Sequence, residues 1–518
     1  MDRELRLTVT LSGGASLGAY QSGAMAALLV AVQHTIGRGE DRVRVEALGG
    51  ASAGALVALF SVYALTEGID PVTLLRALWV EKVSLDVLRS RHSRAPLDFE
   101  DMREGLRETL GADGGEPEYP PSRPPHPSPV ALHVALTGLR GLTYPIRAMR
   151  REEDITGVTY TDWGQFVFEP QSGPGPLFEP DGRSPLDFVL ASASNPGGFG
   201  PRLLDRSDDA AAYRARGIDD LPAPGRLWYA DGGLVQSAPL GRVLEAARSL
   251  PDSVRGGGDG DVDVRRVNVV IDPRSEGPSG SDRWADPDDV PRWEEGLSRA
   301  LAILPAQVIY EDLRRTEKRN TRLDWAAALV DALRPHLGDD AESALDDVLE
   351  EIDQHHTPLR PGQGEPRDRN PDEPDAIRRK LHRAIEEVAG LVRKEKVAVD
   401  VISPRLLSER TGEEVPALLA GAFLGDFGGF LRYELRQSDF RLGYETGRIW
   451  LERALGEAGF GDDAVASILE RVEEESPGDW REVNRGDAGL RDLPWRARLR
   501  LGRYLAHVGR VIAGAVMP

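Results

Sequence analysis

Val43-Arg-Val-Glu-Ala-Leu-Gly-Gly-Ala-Ser-Ala-Gly-Ala-Leu56 is the stretch whose reading decides the fold. Val43 to Leu48 reads as a strand, and Ser52 to Leu65 as an apolar helix with no polar face, hence a buried one. Between them, Gly50-Ala51-Ser52-Ala53-Gly54 forms a G-x-S-x-G pattern. A strand–turn–helix is the context in which such a turn exposes a serine hydroxyl at a helix N-terminus, with small neighbours permitting close backbone approach. The helix dipole and free N–H groups there favour developing negative charge. Taken alone, the pentapeptide also fits a small-residue turn that merely packs strand on helix.

Working outward, Leu5, Leu7, Val9 and Leu11 alternate with Arg6, Thr8 and Thr10, the period-two signature of another strand. A glycine-rich turn, Ser12-Gly-Gly-Ala-Ser-Leu-Gly18, leads into an apolar helix over Ala19 to Val32. Strand, helix, strand, helix at this spacing predicts a parallel sheet with helices packed on it. Successive N–H groups in the Ser12–Gly18 turn can form an anion-binding nest. A dinucleotide fingerprint fails on its middle glycine, which is Ala15, and on the acidic residue required after the second strand. A phosphate-cradling P-loop would need Gly-Lys-Ser/Thr, which is absent. Downstream, Asp231-Gly232-Gly233 follows the apolar strand Leu227 to Ala230. A carboxylate at a strand end can reach a site there, and an ordinary Asp-Gly turn is the alternative.

In this order, the glycine-rich loop, the G-x-S-x-G serine and the distant Asp-Gly-Gly resemble the patatin-like phospholipase family. Ala191-Ser-Ala-Ser-Asn-Pro-Gly-Gly-Phe199 is similar to the segment ahead of that family's aspartate, and Gln236-Ser-Ala-Pro-Leu240 to the segment just after it. The resemblance covers Leu5 to Pro273, and Arg436-Gln-Ser-Asp-Phe-Arg-Leu-Gly443 resembles a stretch of longer bacterial members. It implies a three-layer α/β/α fold with a mainly parallel central sheet, a large helical insertion and C-terminal helices. It further implies a serine lipid acyl hydrolase, a phospholipase A or esterase acting through an acyl-serine intermediate on phospholipid or other acyl-ester substrates. Ser52 would be the nucleophile and Asp231 the base. The N–H groups of Gly13, Gly14 and Ala15 would form the oxyanion hole, with Gly18, Gly50, Gly54, Gly232 and Gly233 supporting the motifs. No metal and no organic cofactor is implied.

Two departures bear on this expectation. Ala15 replaces the family's third loop glycine and Leu17 its basic residue. Alanine is strained at positive φ, so Ala15 is predicted to take a negative φ or the loop to be reshaped. The missing cation removes one source of oxyanion or phosphate stabilisation. Two other readings stand beside the hydrolase: a serine-dependent acyltransferase or thioesterase, expected to carry a histidine near the serine, and a catalytically weak lipid-binding regulatory protein.

At 518 residues the chain exceeds one core, so two or three units are expected. A net charge of −21 argues against nucleic acid and against simple electrostatic docking on anionic bilayers. Transient contact with a membrane surface remains an expected partner interaction. With no cysteine, disulfides, thiolate metal sites and cysteine nucleophiles are excluded. Neither histidines nor carboxylates cluster with metal-ligand spacing. His133 falls on a strand opposite the apolar face of Val130 to Leu136, which predicts a structural or solvent-facing ring. Met1 to Leu11 lacks the apolar run of a secretory signal. Ala47 to Thr66 is uncharged, yet its glycines favour a buried strand–turn–helix over a membrane span. A cytoplasmic or peripherally membrane-associated location is the expectation.

The expected organisation is a catalytic domain over 1–275, a helical insertion or cap over 292–394, and a returning strand with C-terminal helices over 395–518. Within the insertion, helices are predicted over Trp293–Thr316, Trp325–Leu337, Ala341–Gln354 and Ala376–Lys394, with a polar disordered stretch over His355–Asp375. This segment is expected to form a lid or shape the acyl pocket. Lys396 to Ser403 is expected to rejoin the sheet as a strand.

Overall fold

The computed structural model describes residues 3–39, 42–90, 95–146, 155–180, 182–219, 221–251, 263–274, 293–338, 340–355, 375–391, 396–422, 426–482, 495, 498–499 and 501–506. The alternation seen in the sequence becomes strand β1 (Arg3–Leu11), whose Leu5, Leu7, Val9 and Leu11 are fully buried. Its opposite face carries Arg6, bonded to Glu46, and Thr8, bonded to Asn268. β2 (Val43–Gly50) and β7 (Asp263–Ile271) flank β1 in parallel, and β8 (Val399–Ile402) adds in parallel to β7. β3 (Val130–Ile146) lies parallel to β2 and forms a long antiparallel hairpin with β4 (Ile155–Phe168). β6 (Arg226–Asp231) runs antiparallel to β3, and β5 (Arg202–Asp205) antiparallel to β6. The result is one mixed, mostly parallel eight-stranded sheet with the patatin arrangement expected.

Helices cover both faces. α1 (Gly18–Gly37), α2 (Ala53–Glu67) and α4 (Pro185–Ser192) pack together on one. On the other, α5 (Leu240–Ser249) sets Val243, Ala246 and Ala247 against Ala47 and Ala131. α1, within Ala15–Gly37, is the one described helix long and apolar enough to cross a membrane, but 94% of its apolar window is buried inside the protein. Its second partner is α9 (Tyr433–Glu457), and the two cross with near backbone contact. A Cβ added at Gly447 would stand 2.9 Å from the Ala24 carbonyl oxygen, and Gly23 and Gly443 admit still closer approach. α1 is apolar all round because it has protein on every side.

Several local expectations change. β3 continues well past the Val130–Leu136 stretch that carries His133, and β5 has no signal in its four residues. The helices expected at Trp293–Thr316 and Trp325–Leu337 are one helix, α6 (Trp293–Leu333). Nothing in Glu317 to Asp324 breaks it, since that stretch holds neither proline nor glycine. α7 (Ala341–His355) follows, and α8 (Ala376–Val388) stops before Lys394, with Gly390 just beyond it at a positive φ of 63°. Asn320 of α6 exchanges two hydrogen bonds with the backbone of Val397, at 2.8 and 3.0 Å, beside the entry to β8. Residues 275–292 and 356–374 lie outside the described residues, so the disorder expected at His355–Asp375 falls largely there.

Candidate active site

Two strands that never pair with each other bring the site together. β4 occupies one edge of β3. On the other edge β2 pairs as far as Gly50, opposite Val134, and β6 pairs from the opposite direction as far as Asp231, opposite Leu136. The two strand ends therefore meet nearly head-on, and each delivers a polar side chain into the gap. The Ser52 hydroxyl lies 2.8 Å from Oδ2 of Asp231.

The turn that carries Ser52 is tight. Ser52 sits at φ 55°, ψ −128°, a conformation costly for a residue with a Cβ, and α2 begins at the next residue. Gly54 permits this, since a Cβ there would stand 2.5 Å from the carbonyl oxygens of both Leu11 and Ser12. Gly50 is equally confined by the Leu11 carbonyl. The Ser52 N–H is held by the Ser192 hydroxyl at 2.9 Å.

Asp231 is fixed at every atom. Its N–H donates to the Ser194 carbonyl at 3.0 Å, and its carbonyl accepts the Thr137 hydroxyl at 2.7 Å. Oδ1 accepts the Gly233 N–H at 2.7 Å, leaving Oδ2 for Ser52. Gly232 lets the chain turn against the backbone of Ala135. Burial pushes this carboxyl up to about 6, while the donors Ser52, Gly233 and Asn195 pull it part of the way back. A carboxylate in that range can act as a base at neutral pH, which an ordinary aspartate does poorly.

The Ser12–Gly18 loop corrects one expectation. Ala15 adopts a positive φ of 43°, so the residue accepts the strain rather than avoiding it. Leu17 is fully buried in the core and Gly18 lies under the ring of Trp79, so neither belongs to the cavity lining. The three loop amides also differ. The Gly13 N–H is already taken by the Ser237 carbonyl at 3.2 Å, whereas those of Gly14 and Ala15 have no partner among the described residues. Position 17 brings no cation to the loop, but Arg274 does: its Nη2 donates to the Gly13 carbonyl at 2.7 Å.

Ser52 and Asp231 open onto a cavity of about 840 Å³, lined mostly by apolar groups. Phe99, stacked on Phe199, and Met102 of α3 (Glu100–Thr109) form one wall. Phe427 and Phe430 form another. Leu56, Trp79, Val83 and Met102 also border a second apolar cavity of about 250 Å³, which continues the first between α2 and α3. Among the described residues no part of 293–394 lines either cavity, although α6 contacts the Gly232–Leu234 turn beside the larger one. The described walls come from Trp79, Val83, Leu88, Phe99 and Met102 and from Asp426, Phe427 and Phe430. No described histidine lines the cavities. His133 is buried, not solvent-facing, and desolvation, with Arg242 nearby, pushes its pKa down to about 3. The described residues hold no group of three or more His, Asp or Glu side chains arranged to bind a metal ion.

Arg274, Asp426, Phe427 and Phe430 were missed in the sequence, and Ser192 and Asn195 had been quoted only as part of a motif. Arg274 had one usable signal: it follows the C-terminal end of a parallel strand, where α/β sheets place their ligands.

Residues 9–244 match the family model described as patatin-like phospholipase. No curated protein matches the chain. The crystal structure of VipD from Legionella pneumophila matches at 12% identity over 93% of this chain and 94% of its own, with a TM-score of 0.23, too low to bear on the fold.

Proposed function

With residues 9–244 forming a patatin-like phospholipase domain, in a family of lipid acyl hydrolases, we propose that this chain hydrolyses acyl-ester lipids with Ser52 and Asp231 as a two-residue machine. The observation that carries the reading is the 2.8 Å contact between the Ser52 hydroxyl and a buried Asp231 carboxylate at the mouth of an apolar cavity. Asp231 takes the Ser52 proton as the oxygen bonds to the ester carbonyl carbon, and the resulting oxyanion is received by the N–H groups of Gly14 and Ala15. Collapse breaks the bond to the alcohol, which leaves with the proton held by Asp231. Water then gives a proton to Asp231 and attacks the acyl-serine, and the fatty acid departs as Ser52 is reprotonated. The apolar branch past Leu56 and Met102 suits an acyl chain. Peripheral contact with a lipid surface belongs to the same reading, since the substrate resides there, and 292–394 is proposed as an insertion between β7 and β8.

The test compares wild type, Ser52→Ala and Asp231→Asn for fatty-acid release from phospholipid and for labelling by a fluorophosphonate. Ser52→Ala is expected to lose both, because the same serine oxygen attacks the label and the substrate. Asp231→Asn is expected to lose about 10³-fold or more in turnover with its fold intact. Unchanged hydrolysis in Ser52→Ala would sink the assignment. The histidine-assisted acyltransferase reading has no observation in its favour, because no described histidine lines the cavity.

A further inference from the structure

The trans peptide between Gly13 and Gly14 holds the carbonyl of one and the N–H of the other in a single plane, pointing in opposite directions. Whatever holds the Gly13 carbonyl therefore also aims the Gly14 N–H. The holder is Arg274, from the two residues after Asp272 at the end of β7, 261 positions along the chain. The next peptide obeys the same logic. The Gly14 carbonyl accepts the Leu17 N–H at 2.8 Å, and this fixes the plane that carries the Ala15 N–H. One amide of the pair is thus set from within the loop, and the other from outside it.

Arg274 is itself anchored on two sides. Its backbone N–H donates at 3.1 Å to Asp272 Oδ1, which also accepts the Ser12 hydroxyl at 2.8 Å. Its Nη1 lies 2.6 Å from Asp426 Oδ2, and the Asp426 carbonyl accepts the Ser16 N–H at 2.9 Å and the Ser16 hydroxyl. The guanidinium is about one-third exposed, and Arg274 is the one cation among the described residues that line the cavity. A cation on a peptide carbonyl also polarises the plane and makes its N–H a stronger donor.

We infer that Arg274 is the positioning residue of the oxyanion hole: it clamps the Gly13 carbonyl so that the Gly14 N–H faces the reacting ester, with Asp426 holding the clamp in place. The inference rests on the hydrolase reading of Ser52 and Asp231. Arg274 forms no bond to substrate. It acts through the Gly13–Gly14 peptide, so its contribution grows as negative charge develops on the ester oxygen and is small in the ground state.

The experiment measures kcat and KM for a short p-nitrophenyl ester with wild type, Arg274→Ala, Arg274→Lys and Ser52→Ala, each normalised to folded protein by circular dichroism. Arg274→Ala is expected to lose about 100-fold in kcat with KM within about threefold, the pattern of one lost oxyanion donor. Arg274→Lys should keep more turnover, and guanidinium ion at a non-denaturing concentration should raise the kcat of Arg274→Ala and leave that of wild type unchanged. A kcat for Arg274→Ala within about threefold of wild type overturns the inference. So does a loss in normalised kcat that guanidinium does not relieve and that Arg274→Lys shares in full, which would make Arg274 a structural residue. If wild type is as inert as Ser52→Ala, the hydrolase reading fails as well. If wild type turns over and Arg274→Ala does equally, only this inference fails.

Discussion

The turn at 50–54 and the turn at 12–18 do comparable work and are built in opposite ways. Each forces a residue with a Cβ into positive φ, Ser52 at 55° and Ala15 at 43°. The first is held mainly by its own small residues: Gly50 and Gly54 fit against the carbonyls of Leu11 and Ser12 where a Cβ could not, while Ser192 and Asp231 bond Ser52 from further along the chain. The second is held largely from outside, by Arg274 on Gly13, Ser237 on the Gly13 amide, and Asp426 and Gly429 on Ser16. Strain can thus be carried either by a local sequence with no room to relax or by distant residues that over-determine the backbone. The first kind is written in a pentapeptide. The second is invisible until the chain is folded.

The difference can be tested by breaking each kind of support. Gly54→Val should have the largest effect, because its Cβ would press on two backbone carbonyls that cannot yield without moving β1. Overpacking of that kind costs about 3 kcal/mol or more, and fluorophosphonate labelling should vanish together with a marked fall in thermal midpoint. Retained labelling would mean that the elbow is not confined as described. Arg436→Ala strikes the remote support instead. Arg436 is buried and donates to the Gly429 carbonyl at 2.7 Å and twice to the Val80 carbonyl, at 2.8 and 3.1 Å. Its loss strips the Val80 carbonyl of both guanidinium donors and leaves the Gly429 carbonyl only the long 3.4 Å bond from the Arg432 N–H, at about 1–3 kcal/mol for a buried acceptor. Because Gly429 in turn donates to the Ser16 hydroxyl, turnover per labelled site should fall about tenfold while Ser52 remains reactive. Equal turnover per labelled site would show that the 12–18 loop supports itself.

The pH dependence sharpens the same contrast, because each turn has a buried carboxylate bonded to it, Asp231 at Ser52 and, through Arg274, Asp426 at the glycine-rich loop. Asp231 and Asp426 are each pushed up to about 6, both by burial. As a base, Asp231 must be ionised, so kcat/KM should rise through about pH 6 to a plateau. Stability should move the other way. A carboxyl whose folded pKa lies above its unfolded value of about 3.9 favours folding when protonated, and that contribution is lost as pH rises through about 6. Thermal midpoints should therefore fall between pH 4 and 8 as activity climbs. Asp231→Asn should flatten part of that fall while removing turnover. A midpoint that increases over the same window would contradict the burial of these groups as charges.

The legible parts of the fold were those with local causes. The alternation of Leu5 to Leu11, the all-apolar helix after Gly18 and the strand before Ser52 gave the sheet and its first crossover, and the patterns at Ser52 and Asp231 named two side chains that the structure brings to 2.8 Å. The head-on meeting of β2 and β6 on one edge of β3 could not be read, because register is a property of pairs of strands. Arg436 to Gly443 was visible only as a resemblance. In the folded chain Arg436 holds 429 and Val80, Asp439 caps the N–H groups of Ala420 and Gly421 at 2.7 and 2.9 Å, and Gly443 lets α9 lie on α1. Apart from Gly429, these partners lie well away from the motif in sequence, so the motif carries no local pattern. The helical stretch from 293 was readable as helix but not as to what it covers, since its polarity fits both a lid and a strut.

The smallest effect is expected at Ala15 itself. If the loop uses only the backbone N–H of this residue, Ala15→Gly keeps the donor and removes the Cβ that makes a φ of 43° unfavourable. The relief is about 1–2 kcal/mol, offset by about 0.5–1 kcal/mol of extra backbone freedom in the unfolded chain. A net gain below about 1 kcal/mol should appear as a thermal midpoint raised by a few degrees at most. Turnover should stay within about twofold of wild type, because Arg274 and Asp426, rather than the Ala15 side chain, hold the loop. A tenfold or greater loss would mean that the methyl group itself keeps the loop in place, and the contrast between a locally held elbow and a remotely held oxyanion loop would have to be abandoned. A side chain larger than alanine separates the two cases further. Ala15→Val adds a β-branch at positive φ, which neither Arg274 nor Asp426 can compensate, and it should reduce both stability and turnover where glycine does not.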